Sequence, residues 1–225
     1  YWSKSSHLFN LNVFKLGLPF LYCMVVSIGD WILTHFFMWN DFDASRKGRV
    51  KKKKVSVKGA KQAVIFYPYW TGKSSFYKGF AKKFPDATHI FYDYPNEVYS
   101  ENVDVSLNYI LEILSDSVRL IGELRREGIE EIVLVGSSFG SNIAFKLATM
   151  IKVEKVVLNM MDRDFANAIF KSPALGLLRK KLEYQGFTLS KLQKVYKFIS
   201  IDTHVKNIKG KNTKFLFFVS VSDIF

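Results

Sequence analysis

Two short runs in this chain, Ala63-Val64-Ile65-Phe66-Tyr67 and Ile132-Val133-Leu134-Val135, are apolar at every position. A strand with one wet face alternates, so an unbroken apolar run belongs to a strand buried on both faces, as inside a parallel sheet. Helical patterns separate such runs. Ser74 to Phe84 carries Phe76, Phe80 and Phe84 at four-residue steps. Asp104 to Glu127 carries Leu107, Ile110, Leu111, Leu114, Val118, Ile121 and Leu124 at three- and four-residue steps, and Gly128 ends it. His89–Tyr92, Val153–Leu158 and Phe215–Val221 read as further strands, and Asn142–Met150 as a helix. Residues 165–210 read as mostly helical, interrupted by Pro173, Gly176 and Gly186. The expected fold class is α/β: a mainly parallel sheet with helices on both faces, a small helical cap and an N-terminal apolar helical segment. Its crossovers are right-handed, and ligands in such sheets bind at the carboxyl ends of the strands.

A length of 225 residues with 48% hydrophobic content supports one such body plus an appendage. The division expected is residues 1–60 for an apolar helical segment with a basic linker, and 61–225 for the sheet domain. Cys23 stands alone, which excludes an internal disulfide framework. The histidines, His7, His35, His89 and His204, have no metal-ligand spacing, so neither a metal nor another cofactor is expected.

Leu16 to Trp39 is mostly apolar and long enough to span a bilayer. Pro19, Asp30 and His35 oppose that reading. Asn12, Lys15, Pro19, Cys23, Ser27, Asp30 and Thr34 recur every three or four residues, one narrow polar stripe on a helix buried on most sides by protein or lipid. The net charge of +13 is concentrated in Arg46-Lys47-Gly48-Arg49-Val50-Lys51-Lys52-Lys53-Lys54. An apolar helix followed by such a run fits a cytoplasmic chain held at an anionic membrane surface. A solvated basic loop explains the run equally well. Nucleic acid is not expected as a partner, because no aromatics are interleaved with the basic residues as a stacking platform needs.

Gly136-Ser137-Ser138-Phe139-Gly140 is a GxSxG match, preceded by a strand pattern and followed by a helix pattern. At a sharp strand-to-helix turn the serine oxygen stands above the sheet edge. Side chains at the flanking glycines would collide with nearby backbone. The amide that follows lies at a helix N-terminus, where it can stabilise an oxyanion. A Gly/Ser-rich turn used only for packing, or for phosphate, has the same composition.

In strand and helix order, and most specifically in Val133 to Asn142, residues 61–225 resemble the α/β-hydrolase superfamily. The resemblance implies a serine hydrolase acting on an ester, thioester or related acyl bond, small-molecule or lipid, with Ser138 as nucleophile and the Phe139 N–H in the oxyanion hole. It assigns the second oxyanion N–H to the loop Tyr67–Gly72, at Tyr69 or Trp70. The family's His-Gly pair is absent there, with Pro68-Tyr69 near its place, which leaves room for a non-catalytic binding or scaffold protein at a membrane. It assigns the acid to Asp223, with Asp162 and Asp164 in reserve, although Asp162-Arg163-Asp164 also fits a local ion-pair cluster. The family's histidine follows the acid, so the base is expected beyond residue 225 and this chain alone is expected to be inactive. A cap is expected over about residues 163–213, with Phe165, Ile169, Phe170, Leu175, Leu177, Leu178, Leu182 and Phe187 as candidate lining of an acyl pocket. Thr71-Gly72-Lys73-Ser74 is a poor phosphate loop, because position 67 is Tyr where a P-loop needs glycine.

Overall fold

The computed structural model describes residues 48–208 and 212–218. Segment 16–39, Arg46, Lys47 and Asp223 lie outside the described residues, and so do the expectations placed on them.

Among the described residues six strands form one sheet: β1 Lys51–Val55, β2 Gln62–Tyr67, β3 Thr88–Asp93, β4 Glu131–Ser137, β5 Lys155–Asn159 and β6 Lys214–Phe218. Their order is β1-β3-β2-β4-β5-β6. All pairs are parallel except β1 with β3. The helices are α1 Lys78–Ala81, α2 Val103–Arg126, α3 Phe139–Met150, α4 Phe165–Lys171, α5 Gly176–Tyr184, α6 Leu189–Val195 and α7 Ile201–His204.

The unbroken apolar runs are buried on both faces, as their composition requires. Val64, Phe66, Phe91, Val133 and Val135 pack on one face against Phe76, Tyr77, Phe80, Ala81 and Phe84. The helix expected there is a 3-10 turn, Ser74–Tyr77, running into the single turn of α1. The alternate residues of the same strands face the other way. There Tyr92 of β3 donates its hydroxyl to Asp116 of α2 at 2.8 Å.

Helix α2 is bounded by its own sequence. The Asn102 side chain accepts from the amides of Asp104 and Val105. At the other end Gly128 adopts φ +88°, Gly128 N–H reaches Arg125 O and Ile129 N–H reaches Leu124 O, a Schellman closure. The Glu154 carboxylate then ties this end to the sheet, accepting from the Arg125 guanidinium at 2.7 and 2.8 Å and from Ile132 N–H at 2.7 Å.

The basic run departs from its expected form as linker or loop. Lys51–Val55 is an edge strand, paired antiparallel with β3 from Lys51 opposite Asp93 to Val55 opposite His89. The sheet domain therefore begins before residue 61. The strand shows no apolar alternation because all five of its residues are exposed. Lys52 pairs with Asp116 and Lys54 with Glu127, so α2 neutralises every second lysine. Lysines on an edge strand also discourage pairing with a further strand.

Candidate functional site

The centre of the sheet's carboxyl edge is the turn from β4 into α3. Ser138 is the N-cap of α3 with φ 49° and ψ −117°, outside the populated regions for a non-glycine residue. Such a conformation costs on the order of 1–3 kcal/mol and persists only where its surroundings hold it. They do so here. Ser138 N–H donates to Asn159 O at 2.8 Å. Ser141 Oγ donates to the same carbonyl at 2.8 Å and accepts from Asn159 N–H at 3.1 Å. The first turn of α3 is thereby clamped to the end of β5.

Both glycines of the motif are required by space. A Cβ on Gly136 would lie 2.4 Å from Gly140 O and 2.6 Å from Ser141 Cα. One on Gly140 would lie 2.0 Å from Tyr67 O and 2.6 Å from Pro68 O. The second contact shows that the loop after β2 crosses directly over Gly140, beside the serine. Ser138 is half-buried, while Phe139 is 1% exposed. As the first residue of α3, Phe139 has an amide that precedes the intrahelical ladder.

The loop after β2 is a tight turn closed by Gly72 N–H to Tyr69 O at 2.8 Å. Thr71, its third residue, has φ 66°. Trp70 is anchored by its indole N–H to Asn96 O at 3.0 Å and by an edge contact with Tyr99. Tyr69 lies edge-on to Phe76. The neighbouring phosphate-loop pattern is occupied from within, since Ser74 N–H is taken by the Asp93 carboxylate at 2.6 Å. A phosphate there would meet that carboxylate.

Thr71, Ser138 and Met160 have positive φ without being glycine, and they follow the adjacent strands β2, β4 and β5. Backbone strain thus gathers at one stretch of the carboxyl edge. Thr71 and Met160 carried no sequence signal, because neither residue type favours that conformation.

The reserve acids have different surroundings. Asp164 caps α4, accepting from Ala166 N–H at 3.0 Å, and its other oxygen accepts from Asn167 at 3.1 Å and Gln193 at 2.6 Å. Asp162 accepts from Asp164 N–H at 3.0 Å, and its carbonyl accepts from Asn142 Nδ2 at 3.0 Å. Between them, Arg163 pairs with Asp202.

The strand register places His89 away from Ser138. His89 lies in register with Val64, which pairs with Val133, five residues before the serine. That is about 16 Å along a strand. Burial lowers its pKa. His204 Nε2 lies 3.3 Å from Nζ of Lys146 on α3. Burial and then the lysine charge lower the pKa of His204.

Aromatic rings gather around Phe139, the residue after the serine. Phe139 meets Tyr94, Tyr99 and Phe165 edge-on or tilted, and Phe165 meets Tyr196 at 4.9 Å. Burial raises the pKa values of Tyr94 and Tyr99, keeping both phenols neutral. Of the residues expected to line an acyl pocket, Phe165, Ile169, Leu175, Leu178 and Leu182 are no more than 5% exposed and form the packing of the cap, whereas Leu177 is 67% exposed.

No protein-family model matches this chain. No curated protein sequence matches it either. Solved structures do. Acetyl xylan esterase 1 from Thermoanaerobacterium sp. JW/SL YS485 superposes with a TM-score of 0.52 at 12% identity, over 76% of this chain and 71% of that one. A lipase in an open form gives 0.48 at 15% identity over 75% and 74%. A phospholipase/carboxylesterase from Dyadobacter fermentans DSM 18053 gives 0.47 at 15% identity over 76% and 86%. The first of these likenesses carries the assignment: the chain has the α/β-hydrolase fold.

Proposed function

We propose that this chain is a serine hydrolase that cleaves a carboxylic ester, thioester or related acyl bond through an acyl-enzyme on Ser138. One observation carries the reading. Ser138 is held at φ 49° and ψ −117° between two glycines that admit no side chain. A turn used for packing alone has no need of a strained serine at its apex.

In the proposed reaction a histidine from outside the described residues takes the Ser138 proton. Oγ then attacks the substrate carbonyl. The Phe139 amide and an amide of the Tyr69–Trp70 segment bind the oxyanion. Asp223 orients the histidine, and water releases the acyl group. Asp162 remains the reserve acid, while the hydrogen bonds of Asp164 are spent on α4 and Gln193.

A second reading, a binding or scaffold protein that retains the fold, draws on the distance of His89 from Ser138. A fluorophosphonate probe on the full-length protein separates the two. Labelling that disappears in Ser138→Ala supports the enzyme. A folded protein that takes no label refutes it.

No described helix is long and apolar enough to cross a membrane. The proposal that Arg46–Lys54 meets an anionic surface loses force in its second half, where Lys52 and Lys54 are already paired.

A further inference from the structure

Helix α5 has two kinds of apolar residue. Leu178 and Leu182, 2% and 1% exposed, point into the cap. Leu177 and Tyr184 are 67% and 95% exposed. At 100° per residue, Leu177, Lys180, Lys181 and Tyr184 fall on a single outward stripe, a quarter to a third of the helix circumference wide. Glu183 falls to one side of it. A surface helix ordinarily places charged residues of both signs on its outer face. Here that face carries two large apolar side chains and two lysines.

We propose that this stripe is a docking surface for an anionic lipid bilayer. Leucine at the acyl boundary, tyrosine at the headgroup level and lysines reaching toward anionic headgroups are the composition an interfacial helix face needs. The charge balance around it agrees. Residues 165–205 carry seven Lys/Arg (171, 179, 180, 181, 191, 194 and 197) against Glu183 and Asp202. Lys180, Lys194 and Lys197 are exposed, and Lys181 is partly committed to Glu101 at 2.7 Å. Beside the C-terminal end of α5 lies a groove of about 370 Å³, lined by Val103, Leu107, Phe187 and Val195 together with the polar Asn102, Asp104 and Gln185.

Shape selects the bilayer over a protein partner. The stripe is convex, and its two apolar side chains stand two turns apart. A stable protein interface buries about 800 Å² on each partner, several times what two side chains supply. A membrane is a continuous apolar layer under a charged plane, which a narrow convex stripe can enter. This site is distinct from the basic run Arg46–Lys54 and does not depend on the chemistry at Ser138.

The test is co-sedimentation of the full chain with phosphatidylcholine vesicles, with and without phosphatidylglycerol. The double variant Leu177→Ser/Tyr184→Ser should bind the anionic vesicles at least about tenfold more weakly than wild type. Lys180→Glu should weaken binding several-fold and flatten its salt dependence. All these side chains are exposed, so an unchanged circular-dichroism melt verifies folding. Three results would overturn the proposal. They are wild type failing to sediment with anionic vesicles; the double variant binding as wild type does, which places the contact elsewhere, such as in residues 16–54; and wild type self-associating through a contact that the double variant abolishes, which makes the patch an interface between copies.

Discussion

Replacing Gly140 with alanine adds one methyl group where the loop after β2 crosses the elbow. That carbon would sit 2.0 Å from Tyr67 O, 2.5 Å from Tyr67 C and 2.6 Å from Pro68 O. A carbon–oxygen contact settles near 3.3 Å, so the loop must retreat by more than an ångström. All three atoms are backbone, and no rotamer change relieves the clash. Tyr67 is also paired with Gly136 in the β2–β4 register, so the retreat strains the centre of the sheet. Overpacking of this kind costs about 1–3 kcal/mol, and one or two weakened strand hydrogen bonds add about 1 kcal/mol each. The expected loss is about 2–5 kcal/mol, a large part of a typical domain stability of about 5–15 kcal/mol. In urea, with a slope of about 2 kcal/mol/M, the midpoint should fall by about 1–2.5 M. Gly79→Ala in α1 is the control. Its Cβ would meet nothing within 4 Å, and the change should leave the midpoint level or raise it slightly. A Gly140→Ala midpoint within error of wild type would refute the argument that Gly140 exists for the close crossing.

Ser138→Gly should raise stability by about 1 kcal/mol, because glycine adopts the positive φ without strain, while fluorophosphonate labelling disappears; a lowered melting temperature would contradict the strain at Ser138. Asp164→Ala should cost about 1–2 kcal/mol through loss of the α4 cap, yet leave probe labelling of the folded protein intact; abolished labelling with unchanged stability would make Asp164 a catalytic residue instead. Burial holds the His89 pKa below its ordinary value near 6.5, so the unfolded chain takes up the proton first as pH falls. That contribution to stability is full above about pH 6.5 and declines as pH drops toward the depressed folded value. Urea midpoints of His89→Phe should therefore fall less than those of wild type between about pH 7.5 and 5, and parallel curves would defeat this reading.

The sheet and its elbow were legible because both rest on local chemistry. Ala63–Tyr67 and Ile132–Val135 can be satisfied only between two layers, and the helical step of Leu107 to Leu124 carries one of those layers. Gly136 and Gly140 announce close approaches at fixed spacing around a serine. Their exact clash partners, Tyr67 and Pro68, lie about seventy residues upstream and were invisible until the chain folded back.

Elsewhere tertiary contacts decided. A row of lysines looks like solvated chain, and Lys51–Val55 became a strand because β3 offered an unpaired edge and α2 offered Asp116 and Glu127. Phe165, Leu178 and Leu182 read like pocket lining as readily as core, and only packing put them inside the cap and left Leu177 and Tyr184 outside. Thr71 and Met160 took positive φ without any residue preference for it. The sequence alone thus determined which segments must be buried and where the chain must turn, since those follow from hydropathy, period and the absence of a Cβ. What stands opposite each segment is a relation between distant residues, and only the folded chain determined that.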